Sequence, residues 1–214
     1  MEAVLRETYR YLGLGGHEPD AATRALAEDC LAELKGVITP RQISRTFPLA
    51  LTGTRCDLTC FAVESANLAK NLAGCERGRL FAATLGPGPD RLLRKYGHLS
   101  PARSVVLQAA SAALIEAYCD ELNETWRKEA KEEGFFLRPR FSPGYGDFPL
   151  ESQRLICEVL RTGKTVGITL TDALLMMPSK SVTAVIGMAK TDAGCLSAGC
   201  EVCTKTDCAF RRNR

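Results

Sequence analysis

The chain has 214 residues, with 28 Lys and Arg against 25 Asp and Glu, for a formal net charge of +3. That length can bury a hydrophobic core without disulfides or metal, and so balanced a charge argues against an electrostatic grip on nucleic acid. The longest apolar run, residues 173–177, is far too short to span a bilayer.

The first ten residues carry Glu2, Arg6, Glu7 and Arg10 and lack the apolar centre of a secretory signal, so a cytoplasmic protein with neither nucleic-acid nor membrane partners is expected. In a reducing compartment its ten cysteines are thiols or metal ligands rather than a disulfide framework. Cys30, Cys119 and Cys157 stand among apolar residues at helical spacing and read as small buried hydrophobes.

After a short amphipathic opening, Leu26, Ala27, Cys30, Leu31 and Leu34 recur with helical period and predict a helix over residues 21–35. Residues 37–51 are rich in Ile, Thr and Phe, and Pro40 and Pro48 limit any helix there, so one or two strands are expected. Residues 68–72 suit a short helix. Residues 79–85 form an apolar run that fits a buried strand, closed by a turn at Gly86-Pro87-Gly88-Pro89.

Ser100 followed by Pro101 is a helix-start signal, because Ser can accept an unpaired amide hydrogen bond and Pro suits the first helical position. The helix it opens runs to about Lys131. Its first half repeats Ala109, Ala110, Ala112, Ala113 and Ala117, which lets a neighbour approach its backbone, and residues 127–133 read as a solvated face supported by opposite-charge pairs. Gly134 ends it. Residues 135–149 hold three prolines and two glycines and cannot be a regular helix. Leu155, Ile156, Val159 and Leu160 then restore helical spacing over residues 150–161, with Gly163 placed to terminate it. Residues 166–170 and 181–188 read as strands around a Met177-Pro178-Ser179-Lys180 turn.

The stretch Arg140-Phe141-Ser142-Pro143-Gly144-Tyr145 resembles the Arg-x-x-Pro-Gly-Tyr signature of the activation domain of cobalamin-dependent methionine synthase, and Gly146-Asp147-Phe148-Pro149 continues the pattern. Downstream, Leu170-Thr171-Asp172 and Met177-Pro178-Ser179-Lys180-Ser181-Val182 are similar to the family's Leu-Thr-Glu and Met-x-Pro-Gly-x-Ser-Val blocks, in the same order. Upstream, Leu114-Ile115-Glu116-Ala117 resembles the helix that gives the family an acidic ligand contact.

The resemblance implies an α+β fold, with a curved, mainly antiparallel sheet flanked by helices and the long helix beside the ligand loop. The chain reads as a single domain, with a helical and mixed part at 1–100, a ligand-binding core at 101–190 that carries the resemblance, and a cysteine-rich tail at 191–214. The resemblance also implies S-adenosylmethionine as ligand. Arg140 would meet the ligand carboxylate with a planar two-point hydrogen bond. Glu116 would face the ammonium or sulfonium, and Tyr145 would offer a ring face and a hydroxyl. Ser142, Pro143 and Gly144 would supply an irregular backbone able to approach and address adenine. Two positions depart from the pattern: residues 190–195 lack the tyrosine that the family places beyond the Ser-Val block, and the early acidic contact has no counterpart.

In the family this module docks onto a cobalamin-carrying domain, where an electron and the methyl of S-adenosylmethionine restore methylcobalamin. The Asp-x-His-x-x-Gly motif that holds cobalamin is absent here, since neither His17 nor His98 has an Asp two residues before it. His98 reads instead as a loop or cap residue. A partner, either a cobalamin-binding methionine synthase or a related corrinoid protein, must bring the corrinoid, and an electron donor must serve it.

In the tail, Cys195, Cys200, Cys203 and Cys208 give Cys-x4-Cys-x2-Cys-x4-Cys, a spacing at which four thiolates can converge on zinc or an iron–sulfur cluster. Free thiols are the other reading of the tail, and Cys56 and Cys60 read as ordinary loop residues. Two functions stand side by side: an S-adenosylmethionine-binding accessory protein for reductive remethylation of methionine synthase, or a metal- or iron–sulfur-binding interaction or electron-transfer protein serving another corrinoid methyltransferase.

Overall fold

A computed structural model describes residues 2–14 and 17–192 of the chain; Cys195, Cys200, Cys203 and Cys208 lie outside the described residues. The chain opens with α1 (Glu2–Tyr11) and α2 (Ala21–Lys35), then β1 (Arg41–Pro48), β2 (Ala50–Thr52), β3 (Arg55–Asp57), β4 (Ala62–Glu64) and α3 (Ala66–Asn71). It continues through β5 (Cys75–Thr84), α4 (Gly88–Leu99), the long α5 (Pro101–Glu132) and β6 (Phe136–Leu137). Last come α6 (Ser152–Leu160), α7 (Thr162–Thr165), β7 (Thr169–Leu170), β8 (Met176–Met177) and β9 (Ser181–Ala189).

The principal sheet has the order β1-β5-β9-β6, and every pairing in it is antiparallel. Successive side chains of a strand point to opposite faces, so its two central strands feed two separate cores. On one face Phe81, Ala83, Ala184, Ile186 and Met188 pack on Ile115, Cys119, Trp126 and Ala130 of α5. On the other, Leu80, Ala82 and Val185 pack on Ile156 and Leu160 of α6 and on Leu68 beside β3. Because both faces are covered, β5 reads as a continuous apolar run rather than an alternating one. Phe81 and Trp126 meet at a centroid distance of 5.1 Å and a tilt of 59°, a favourable aromatic arrangement.

A third core is purely helical. Ala27, Cys30, Leu31 and Leu34 of α2 pack with Leu92 of α4 and Val106, Leu107 and Ala110 of α5, and Val4, Leu5 and Tyr9 of α1 join them. The small residues of α5 thus admit neighbouring helices, as their repetition suggests. Asp20 caps α2 by accepting the Thr23 amide at 2.7 Å.

Several local expectations are corrected. The Gly86–Pro89 turn passes directly into α4, whose Pro89 sits at the first helical turn; Gly86 and Gly88 are required because a Cβ there would lie 2.2 Å from Thr39 Oγ1 and 2.1 Å from the Val37 carbonyl oxygen. His98 therefore lies in the last turn of a helix and is exposed. Ser100 begins α5 without a side-chain cap bond. Arg161, left-handed at φ 52°, closes α6, while Gly163 falls inside α7. The strand expected over residues 166–170 is reduced to Thr169–Leu170. Glu129 and Glu133 reach across from the end of α5 to Arg79 at 3.2 Å and Arg77 at 3.1 Å on β5. Cys30 and Cys119 are fully buried, but Cys157 is only half-buried.

Candidate functional site

The candidate loop leaves β6 as an extension of the sheet edge. The Arg138 amide donates to the Gly187 carbonyl at 2.8 Å, and Phe141 exchanges two backbone bonds of 2.9 Å with Val185 of β9. The chain then turns on itself. The Gly144 amide donates to the Phe148 carbonyl at 2.8 Å, the Phe148 amide to the Tyr145 carbonyl at 3.0 Å and the Tyr145 amide to the Ser142 carbonyl at 3.2 Å. This tight turn needs left-handed backbone at Gly144 (φ 90°) and Gly146 (φ 56°), which glycine adopts at no steric cost. Phe148 anchors it, buried in the core beneath α6 and stacked on Phe141 at 6.3 Å.

The N-terminal end of the turn is tied to α5 by charge. Arg140 donates from Nη2 to Glu116 at 2.5 Å and from Nη1 to Asp120 at 2.6 Å, two acids one helical turn apart on the same face. The guanidinium is largely buried, its side chain 19% exposed. Burial opposes its charge, but the hydrogen bond to Asp120 and the charges of both acids outweigh that cost and hold its pKa above the usual arginine range. Beneath it, the Cys119 thiol is pushed up to about 12, chiefly by burial, with Arg140 opposing the rise and the two acids adding to it. Burial also raises the Tyr11 phenol, helped by the nearby charge of Glu116.

The C-terminal end is tied to α3. Asp147 accepts from the Ser65 hydroxyl at 2.5 Å, the Ala66 amide at 2.7 Å and the Asn67 amide at 3.0 Å, while Ser65 Oγ accepts the Leu68 amide at 3.0 Å. The loop thus shares the N-terminal capping of a helix about eighty residues upstream with that helix's own N-cap serine. These bonds, the Ser65 hydroxyl foremost, hold the Asp147 carboxyl well below the usual carboxylate range.

Of the residues singled out from the sequence, Glu116 and Arg140 are brought into direct contact, and Ser142, Pro143 and Gly144 form the turn beside them. Pro143 is buried, whereas Tyr145 stands at the tip with 68% of its surface exposed. Sequence reasoning missed Asp120, though its four-residue spacing from Glu116 was a signal for a shared face. It also missed Tyr11, which lines a groove of about 520 Å³ with Leu12, Leu93, Gln108, Ala109 and Ala112; Ala112 precedes Glu116 by one turn of α5.

Among the described residues no group of three or more His, Cys, Asp or Glu could hold a metal ion. Burial pushes the Cys30 and Cys56 thiols up to about 11 and raises Cys60, which suits inert cysteines rather than ligands. Among the same residues no helix is long and apolar enough to cross a membrane.

Fold and site together define an α+β module: an open antiparallel sheet between helical layers, with a proline–glycine loop braced on one long helix by a charged triad. Residues 75–198, more than half of the chain, match the family described as the activation domain of vitamin B12 dependent methionine synthase, and the chain belongs to that family. The fold is also that of the MetH reactivation domain, known from a crystal structure bound to AdoHcy: the TM-score is 0.62 at 18% sequence identity, over 86% of this chain and 74% of that one. No curated protein matches the chain.

Proposed function

We propose that the protein binds S-adenosylmethionine at the junction of α5 and the 140–145 loop and serves as an accessory component in the reductive remethylation of a corrinoid carried by a partner methionine synthase. One observation carries the reading. Arg140 is held against Glu116 at 2.5 Å, at the head of a turn made rigid by Phe148 and Asp147. A guanidinium beside a carboxylate is the pair that an amino-acid ligand needs for its own carboxylate and ammonium. The AdoHcy in the structurally similar reactivation domain has the same amino-acid end.

The residues present fit this ligand. Arginine has five N–H donors, and the two bonds to Glu116 and Asp120 leave three for an incoming carboxylate. Glu116 faces the ammonium or sulfonium. Ser142, Pro143 and Gly144 present backbone to the adenosyl part, and Tyr145 closes over it from the tip. The chain's contribution is positioning: it holds the sulfonium methyl where a docked corrinoid can receive it. The methyl passes to the partner's cobalt after one-electron reduction by a separate donor, and S-adenosylhomocysteine is left.

Calorimetry with S-adenosylmethionine tests the first step, and methylation of the corrinoid-loaded partner in the presence of an electron donor tests the second. Saturable binding and chain-dependent methylation are expected; absence of binding both with and without the partner rejects the reading. The spacing of Cys195, Cys200, Cys203 and Cys208 supports a second reading, a metal- or iron–sulfur-binding electron-transfer protein for another corrinoid methyltransferase. Anaerobic purification with metal analysis and a visible spectrum separates zinc, a cluster and free thiols. Full remethylation by a chain truncated before Cys195 counts against the second reading.

A further inference from the structure

The charged triad is not neutral. Arg140 carries one positive charge and meets two carboxylates, Glu116 at 2.5 Å and Asp120 at 2.6 Å, so the cluster as it stands is negative by one charge. Arg10 lies above the ring of neighbouring Tyr11 at 4.3 Å and is engaged by Glu7 at 2.7 Å. The Tyr11 phenol is raised chiefly by burial and next by the charge of Glu116.

S-Adenosylmethionine brings a carboxylate, an ammonium and a sulfonium, a net charge of plus one. S-Adenosylhomocysteine, which has lost the sulfonium, is neutral. Once Arg140 takes the ligand carboxylate, the two acids of α5 face two positive centres on the substrate but only one on the product. We infer that Asp120 sets the charge selectivity of the site, favouring the sulfonium substrate over its neutral thioether product while Glu116 serves the amino group common to both. The inference rests on the ligand reading above. Asp120 is a positioning and selectivity residue rather than a catalytic one. Its side chain is 56% exposed against 31% for Glu116, so its effect is partly screened by solvent.

The test is calorimetric affinity of the full-length protein for S-adenosylmethionine and for S-adenosylhomocysteine, in wild type, Asp120→Asn and Asp120→Glu, at low and high salt. Asp120→Asn is expected to weaken S-adenosylmethionine by about threefold to tenfold and to leave S-adenosylhomocysteine nearly unchanged. Asp120→Glu should restore the preference, and high salt should shrink it in the wild type. Equal weakening of both ligands by Asp120→Asn would show that Asp120 only steadies Arg140 and would overturn the inference, as would no change in either. Failure of the wild type to bind S-adenosylmethionine removes the ligand reading itself; wild-type binding with an unaltered affinity ratio in Asp120→Asn removes only the inference. A thermal melt of each variant confirms that the comparison is made between folded proteins.

Discussion

The two ends of the 140–148 turn are held by different physics. At Arg140 the anchor is a pair of side-chain ion pairs to α5, partly open to solvent and with donors to spare. At Asp147 it is a set of hydrogen bonds to a hydroxyl and two backbone amides at the start of α3. Side-chain partners can turn toward a ligand without disturbing secondary structure, whereas amides of a helix N-terminus cannot move without unwinding the helix. The Arg140 end is therefore suited to exchange partners, and the Asp147 end to stay fixed while it does so.

The sharpest way to break this contrast is Arg140→Ala, which leaves Glu116 and Asp120 without their shared cation. A loss of about 2–3 kcal/mol in ligand binding, on the order of 100-fold, is expected by calorimetry. Arg140→Lys should recover only part of it, because an ammonium cannot reproduce the planar fork. An unchanged affinity in Arg140→Ala would remove the exchangeable end from the site.

Next in size is Gly146→Ala. The residue is left-handed at φ 56°, and an added Cβ would sit 2.9 Å from Asn67 Cγ. The variant should lose about 1–2 kcal/mol of stability and melt a few degrees lower, with a smaller effect on ligand affinity than Arg140→Ala.

Asp147→Asn should lower the melting temperature in a way that depends on pH. The folded state depresses this carboxyl, so its contribution is complete above the unfolded value near 4 and is lost as pH falls through the folded value. The gap between wild type and variant should thus be widest near neutrality and close in acid. A gap that widened as the pH dropped would contradict the capping role.

Tyr145→Phe should have the smallest effect. At 68% exposure the side chain contributes little to folding, so stability should stay within about 0.5 kcal/mol and any loss of ligand affinity should reach no more than about tenfold.

Local signals were the legible part of this molecule. The period of Ala27, Cys30, Leu31 and Leu34 placed α2 at its observed bounds, and Ser100-Pro101 placed the start of α5 even though the serine makes no cap bond. α4 was not legible, because its glycines and proline signal a turn as strongly as a helix start. The two are told apart only by Thr39 and Val37, which crowd Gly86 and Gly88 from a distant segment. The same division runs through the site. Proline and glycine composition marked residues 135–149 as irregular, and family resemblance pointed to Arg140 and Glu116, but neither indicated that Asp120 would share the guanidinium.

By itself, then, the amino-acid order determined where α2 and α5 begin, which stretch must be a loop, and which family's blocks the chain carries. These are matters of neighbours within a turn or two, where backbone preference and hydrophobic period act directly. Tertiary structure alone decided that Asp147 caps α3, that Tyr11 and Ala112 line one groove, and that one arginine meets two acids. Such meetings depend on how separate elements pack their apolar faces, and that geometry has no local signature in the chain.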